Sequence, residues 1–152
     1  MKNIKEAEEL TGISRQNIRY YEKMGLLNPK RDAGNGYRKY DEEDIGRLKA
    51  ILLFRKLDMP LEEIRKLLDH EIDLQQALDT QKAYLQKEQQ KLEAALNFCD
   101  TIQEQDLAEL DINRCLQEIE KQEKSGNTFA DILHDYKAVA EMEKKRAFTF
   151  WP

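Results

Sequence analysis

Seven basic side chains fall within residues 14–40, namely Arg15, Arg19, Lys23, Lys30, Arg31, Arg38 and Lys39, and only Glu22 and Asp32 oppose them. So basic a stretch has the chemistry of a phosphate-binding face, because each Lys or Arg that meets a nucleic-acid backbone releases a condensed counterion. Solubilising a hairpin is the plainer use of Arg31, Arg38 and Lys39, but they cluster instead of alternating with acids. Interleaved with the cations are Gln16 and Asn17, whose amides can pair bidentately with adenine, and the hydroxyls of Ser14, Tyr20 and Tyr37. No glycine-rich phosphate loop, nucleophile motif or pair of catalytic acids appears in the sequence, so an enzyme is not expected.

A face of this kind needs elements to hold it. Ile4, Ala7 and Leu10 recur at helical spacing, and Gly12 ends that helix because a residue without Cβ enters the left-handed region freely. Ser14 then caps a second helix by accepting from the amide of residue 16 or 17, with Ile18, Tyr21 and Met24 turned inward and Tyr20 outward. Helix, glycine turn, helix is the grammar of a helix-turn-helix. Beyond it, Asn35-Gly36 beside Tyr37-Arg38-Lys39-Tyr40 predicts a two-stranded wing closed by a type I′ turn. Asp41, with Asp44 three residues on, opens a helix carrying Ile45, Leu48, Ile51, Leu52 and Leu57 as its buried stripe. Pro60 then starts another over Leu61–Leu68.

The net charge of -5 hides an asymmetry: residues 1–60 hold 13 Lys and Arg against 10 Asp and Glu, and the rest hold 12 against 20. From Asp73, steps of four and three run through Leu74, Leu78, Gln81, Leu85, Glu88, Leu92, Ala95, Cys99 and Ile102. That is a heptad seam, interrupted at Gln81 and Glu88, which one helix cannot bury alone; a twofold dimer is its most economical partner. After a polar break near Gln105, Ile112, Leu116 and Ile119 predict a helix ended by Ser125-Gly126. Thr128 is expected to cap another bearing Phe129, Ile132, Leu133, Tyr136, Val139 and Ala140. The closing run Ala147-Phe148-Thr149-Phe150-Trp151-Pro152 either packs on the helical region or begins the next strand of a longer protein.

The segment Thr11-Gly12-Ile13-Ser14, then Ile18-Arg19-Tyr20-Tyr21-Glu22-Lys23 and Gly25-Leu26-Leu27, resembles the MerR family of transcription regulators. So do Asn35-Gly36-Tyr37-Arg38-Lys39-Tyr40, Glu42-Glu43-Asp44 and Leu61-Glu62-Glu63-Ile64. The resemblance covers residues 1–70. It implies a mainly α chain: a winged helix-turn-helix DNA-binding head over 1–70, a long antiparallel coiled-coil dimerisation helix over 73–104, and a helical effector or partner region over 105–152. It further implies that Ser14, Arg15, Gln16, Asn17, Arg19 and Tyr20 on the second helix, and Arg31, Tyr37, Arg38 and Lys39 on the wing, are the DNA contacts. Many relatives carry arginine where Gln16 stands. Leu74, Leu78, Leu85, Leu92, Cys99 and Ile102 would form the dimer seam.

The partners implied are double-stranded promoter DNA with a pseudo-palindromic site, a second copy of the chain, RNA polymerase, and a small organic effector bound at residues the sequence does not single out. The alternative is an effector-independent DNA-binding protein whose C-terminal helices recruit a protein partner. No cofactor or metal is expected. Metal-sensing relatives place a cysteine at the start of the dimer helix and a cysteine pair just beyond it, whereas here Asp73-Leu74 open the helix and Cys115 has no neighbour of its kind. Cys99 and Cys115 are read as small buried hydrophobes, a soft-metal thiolate pair across a dimer being the alternative. His70 and His134 are read as structural or solvated. Tyr84, Phe98, Phe129, Tyr136, Phe148, Phe150 and Trp151 are read as core, or else as the lining of a pocket for an apolar or cationic ligand. No apolar run is long enough to cross a bilayer and no signal pattern opens the chain, so a cytoplasmic protein is expected.

Overall fold

The structure, a computed structural model, describes residues 1–132. Its elements run α1 (Ile4–Thr11), α2 (Arg15–Lys23), β1 (Lys30–Arg31), β2 (Arg38–Lys39), α3 (Glu42–Lys56), α4 (Leu61–Leu68), α5 (Leu74–Thr101), a 3₁₀ turn (Leu107–Glu109) and α6 (Ile112–Lys124). The chain divides into two compact units with the boundary between Lys82 and Ala83, inside α5.

In the first unit the helix ends follow local chemistry. Asn3 and Glu6 form a capping box on α1, and Asp41 and Asp44 form another on α3, with Asp41 Oδ1 accepting from Asp44 N at 2.8 Å and Asp44 Oδ2 from Asp41 N at 3.0 Å. Bonding to the Asp44 amide holds the Asp41 carboxyl below the usual range, while burial pushes that of Asp44 up. Gly12 closes α1 at φ 75° as expected. Pro60 sits one position ahead of α4 as its N-cap, where the lack of an N–H is harmless.

The core gathers Ala7 from α1, Ile18 from α2, Leu26 and Leu27 after it, Tyr40 from the wing, Leu48 and Ile51 from α3, Ile64 from α4 and Ala77 from α5. Burying an Ile or Leu side chain of this core is worth about 1.5–3 kcal/mol. Three residues assigned to inward stripes are in fact exposed: Leu10, Met24 and Leu57. Leu10 sits beside Thr11, which is buried in its place with its hydroxyl on Ala7 O at 2.7 Å; Met24 and Leu57 are the C-caps of α2 and α3, where the chain turns away from the core. Arg47 on α3 ties the head together, its guanidinium donating to Leu26 O at 2.9 Å, Leu68 O at 3.4 Å and Asp69 Oδ1 at 3.1 Å.

Gln81, read in the sequence as a break in the heptad seam, is buried, and its amide donates to Leu57 O at 2.9 Å, closing the end of α3 from α5. Leu78 is partly buried against the same core, while Leu74, Leu85 and Leu92 stand exposed on α5 and Ile102 just past its end. Cys99 is exposed rather than buried.

In the second unit Asp111 caps α6 through Arg114 N, and Gly126, at φ 109°, follows its end as expected. Ile112 and Leu116 are exposed while Cys115 and Ile119 are half-buried, so the inward face is rotated from the expected one. No helix starts at Thr128: residues 128–132 are irregular, and Phe129 meets Phe98 edge-on at 6.1 Å between ring centres. The remainder of that expected helix, His134, Tyr136 and the aromatic run 147–152 lie outside the described residues.

Candidate nucleic-acid interface

The exposed start of α2 is set by the turn before it. Thr11 Oγ1 accepts from Ile13 N at 3.2 Å, and Ser14 Oγ accepts from Asn17 N at 3.2 Å as the N-cap. Glu8 of α1 reaches across, its Oε2 accepting from both the backbone N and Nε of Arg15 at 3.0 Å each. With Ile18 fully buried as the anchor, Arg15, Gln16, Asn17, Arg19 and Tyr20 all face solvent, and Tyr21 is half-buried. Ser14 is exposed as well, its hydroxyl oxygen engaged in the cap.

The wing is a short antiparallel pair in which Lys30 faces Lys39 and Arg31 faces Arg38. Like charges directly opposite one another weaken a ladder. Here acids offset them. Asp32 Oδ2 lies 2.7 Å from Lys39 Nζ, and that hydrogen bond holds the Asp32 carboxyl below its ordinary range. Glu22, on the last turn of α2, takes Nε of Arg38 and lies 4.0 Å from Arg31 Nη2.

The turn is not the expected two-residue type I′. Only Gly36 has positive φ, at 73°, while Asn35 stays in the ordinary half of the map. Asp32 O accepts from Gly36 N at 2.8 Å, Asp32 Oδ1 from Gly34 N at 2.7 Å, and Asp32 N donates to Tyr37 O at 2.8 Å. The result is a longer loop closed by an aspartate side chain, with Gly36 taking the left-handed position. Tyr37 projects from it, 73% exposed. On the far side of β2 the backbone of Tyr40 exchanges hydrogen bonds with Lys2, at 2.8 and 2.7 Å, so the N-terminal segment flanks the wing. The ring of Tyr40 is fully buried, and among the described residues its hydroxyl has no hydrogen-bond partner; burial pushes its pKa up.

The ten candidate contact residues thus lie on α2, on its N-cap Ser14 and on the neighbouring wing. They differ in freedom: Arg15, Arg31, Arg38 and Lys39 are each engaged with an acid, whereas Arg19 has no ion-pair partner among the described residues. Lys23 and Lys30, which sequence reasoning counted as charge but did not name as contacts, are exposed and likewise unpaired among the described residues. The sequence marks Glu22 as an acid opposing the basic stretch and as part of the Tyr20-Tyr21-Glu22 motif, not as a partner of the wing. Nothing local signals its role, because its partners Arg31 and Arg38 lie nine and sixteen residues further along the chain.

Among the described residues no group of three or more His, Cys, Asp and Glu side chains is arranged to hold a metal ion, and no helix is long and apolar enough to cross a membrane. In the second unit a cavity of about 610 Å³ lies between the end of α5 and α6, with Phe98, Ile102 and Cys115 among apolar linings and Arg114, Glu118 and Glu104 among charged ones.

A family model described as MerR HTH family regulatory protein matches residues 2–71. The HTH-type transcriptional activator mta of Bacillus subtilis is 35% identical over 98 residues, covering 64% of this chain and 38% of that protein. An uncharacterised HTH-type transcriptional regulator of Pseudomonas aeruginosa is 36% identical over 106 residues, 67% of this chain and 80% of that one. The crystal structure of MtaN, the N-terminus of the Bacillus subtilis multidrug transporter activator, superposes with a TM-score of 0.62 at 33% identity over 66% of this chain and 96% of that chain. The chain spans 38% of the length of the first curated relatives it matches.

Proposed function

The chain belongs to the MerR HTH family of regulatory proteins, and on that premise we propose that it is a DNA-binding transcription regulator acting as a homodimer on a pseudo-palindromic promoter. The observation that carries this reading is the juxtaposition of an exposed helix start bearing Arg15, Gln16 and Asn17 with a wing whose two strands are wholly basic. The start of α2 enters the major groove, Gln16 and Asn17 reach base edges, and Arg19, Tyr20 and the wing grip the flanking phosphates. Leu85 and Leu92, exposed seven residues apart on α5, supply the dimer seam that sets the spacing of the two heads.

On this reading the protein is cytoplasmic, has no enzymatic activity, and distorts promoter DNA for RNA polymerase in response to an effector. The cavity between α5 and α6, part apolar and part charged, suits an organic effector better than a bare metal ion. A second reading is favoured by the exposed pair Ile112 and Leu116, one turn apart on α6: an effector-independent regulator whose C-terminal region recruits a protein partner.

Mobility-shift and footprinting assays on the promoter upstream of its own gene, titrated with salt, test the proposal. A protected site of twofold symmetry supports it, and no specific protection at low salt overturns it. Ligand-induced thermal stabilisation separates the two readings, since only the first needs a small-molecule site.

A further inference from the structure

We propose that Glu22 is a specificity-determining positioning residue: it aims the wing's Arg38 at a phosphate fixed by the operator's shape and keeps it from capturing phosphates of any duplex. This inference rests on the DNA-binding reading. Glu22 occupies the last turn of α2, where the helix's partial negative charge disfavours a carboxylate. It is nonetheless turned inward, with a side chain only 21% exposed. Its Oε2 takes Nε of Arg38, and its Oε1 lies 4.0 Å from Nη2 of Arg31. Those two arginines face each other across the wing, so one acid on the recognition helix stands against both guanidiniums.

A guanidinium carries five donors in one rigid plane. With Nε committed to Glu22, the plane of Arg38 is fixed relative to α2, and its terminal nitrogens, for which no partner occurs among the described residues, remain to meet a phosphate. Arg31 is restrained further by Nη1 donating to Gly36 O at 3.2 Å. A fixed fork matches a phosphate only when α2 is seated in the right register. A released one follows any backbone it meets, with an extra net positive charge on each head to draw it there.

The test compares wild type with Glu22→Gln, which keeps size and shape while removing the charge, on the operator found by footprinting and on a random-sequence duplex. Fluorescence anisotropy is followed from about 50 to about 200 mM salt. In the variant, binding to random duplex strengthens roughly three- to tenfold at the lower salt. Its log–log salt slope steepens by about 2 per dimer, one added charge per head at ~0.9 each. Operator affinity falls, so the specificity ratio drops about tenfold. The double variant Glu22→Gln/Arg38→Gln returns the slope on random duplex towards wild type. It also serves should Glu22→Gln fail to fold, with an operator preference as strong as wild type then counting against the proposal.

A specificity ratio within about twofold of wild type in the single variant overturns the inference alone, as does equal weakening on both duplexes at unchanged slope, which would mean that Glu22 merely packs the wing. Failure of the wild type to bind any duplex in a salt-dependent way overturns the DNA-binding reading itself.

Discussion

Tyr40→Phe should make this protein more stable, although it removes a polar group from a fully buried site. The ring of Tyr40 has no exposed surface, and its hydroxyl makes no hydrogen bond among the described residues. A buried hydroxyl without a partner gives up its bonds to water for nothing, at about 1–3 kcal/mol. The substitution keeps the ring and its packing, leaving a gap too small to undo that relief. A gain near 1 kcal/mol raises the melting temperature by about 2–4 °C in a chain of this length.

The pH dependence provides a second arm. Burial raises the pKa of Tyr40 in the folded state, so the folded chain holds its phenolic proton where the unfolded chain has lost it. That contribution is intact below the unfolded value of about 10 and is lost as pH rises from there through the folded value. The Phe variant lacks this loss, so its advantage widens above about pH 10. Thermal melts of the full chain at neutral and alkaline pH read both effects. A Phe variant that melts below wild type would refute the reasoning, because it would mean that the hydroxyl has a partner worth more than its desolvation.

Three further outcomes follow from the same structure. Gln81→Ala should cost about 1–2 kcal/mol in urea denaturation by uncovering Leu57 O and the floor beneath it, and a change under about 0.3 kcal/mol would show that water replaces the amide freely. Placing Lys at both Leu85 and Leu92, exposed in the single chain, should leave helicity by circular dichroism intact and convert a dimer to a monomer in sedimentation; a surviving dimer would mean the seam lies elsewhere. Arg19→Ala should weaken binding to operator and random duplex alike and shallow the salt slope by about 2 per dimer, and an unchanged slope would remove Arg19 from the phosphate contacts.

Features settled within a few residues were legible from the sequence. Gly12, the Ser14 cap and the Asp41–Asp44 box each depend on groups no more than four positions apart, and each stands as expected. The helical stripes were legible in period but not in phase: Leu10, Met24 and Leu57 share the spacing of their buried neighbours, and only the direction in which the next element leaves decides that they face out. The Asn35-Gly36 pair favours a tight turn, yet the Asp32 carboxylate, bonding Gly34 two residues on, selected a longer one. Gln81 and Glu22 were opaque for the opposite reason. Gln81 bonds a carbonyl 24 positions away and Glu22 a guanidinium 16 away, so their types made sense only once the chain had folded back on itself.

The pairing of Lys2 with Tyr40 bears on how the protein is handled at the bench. Two backbone hydrogen bonds lay the first residues alongside β2, so any fusion joined ahead of Lys2 emerges next to the wing. A basic affinity tag there would add its own attraction for phosphate to the face under study, and a bulky one would crowd the duplex from the same side. Apparent affinities and salt slopes from such a fusion would report the tag as much as the wing, and cleaving it restores the surface those measurements are meant to read.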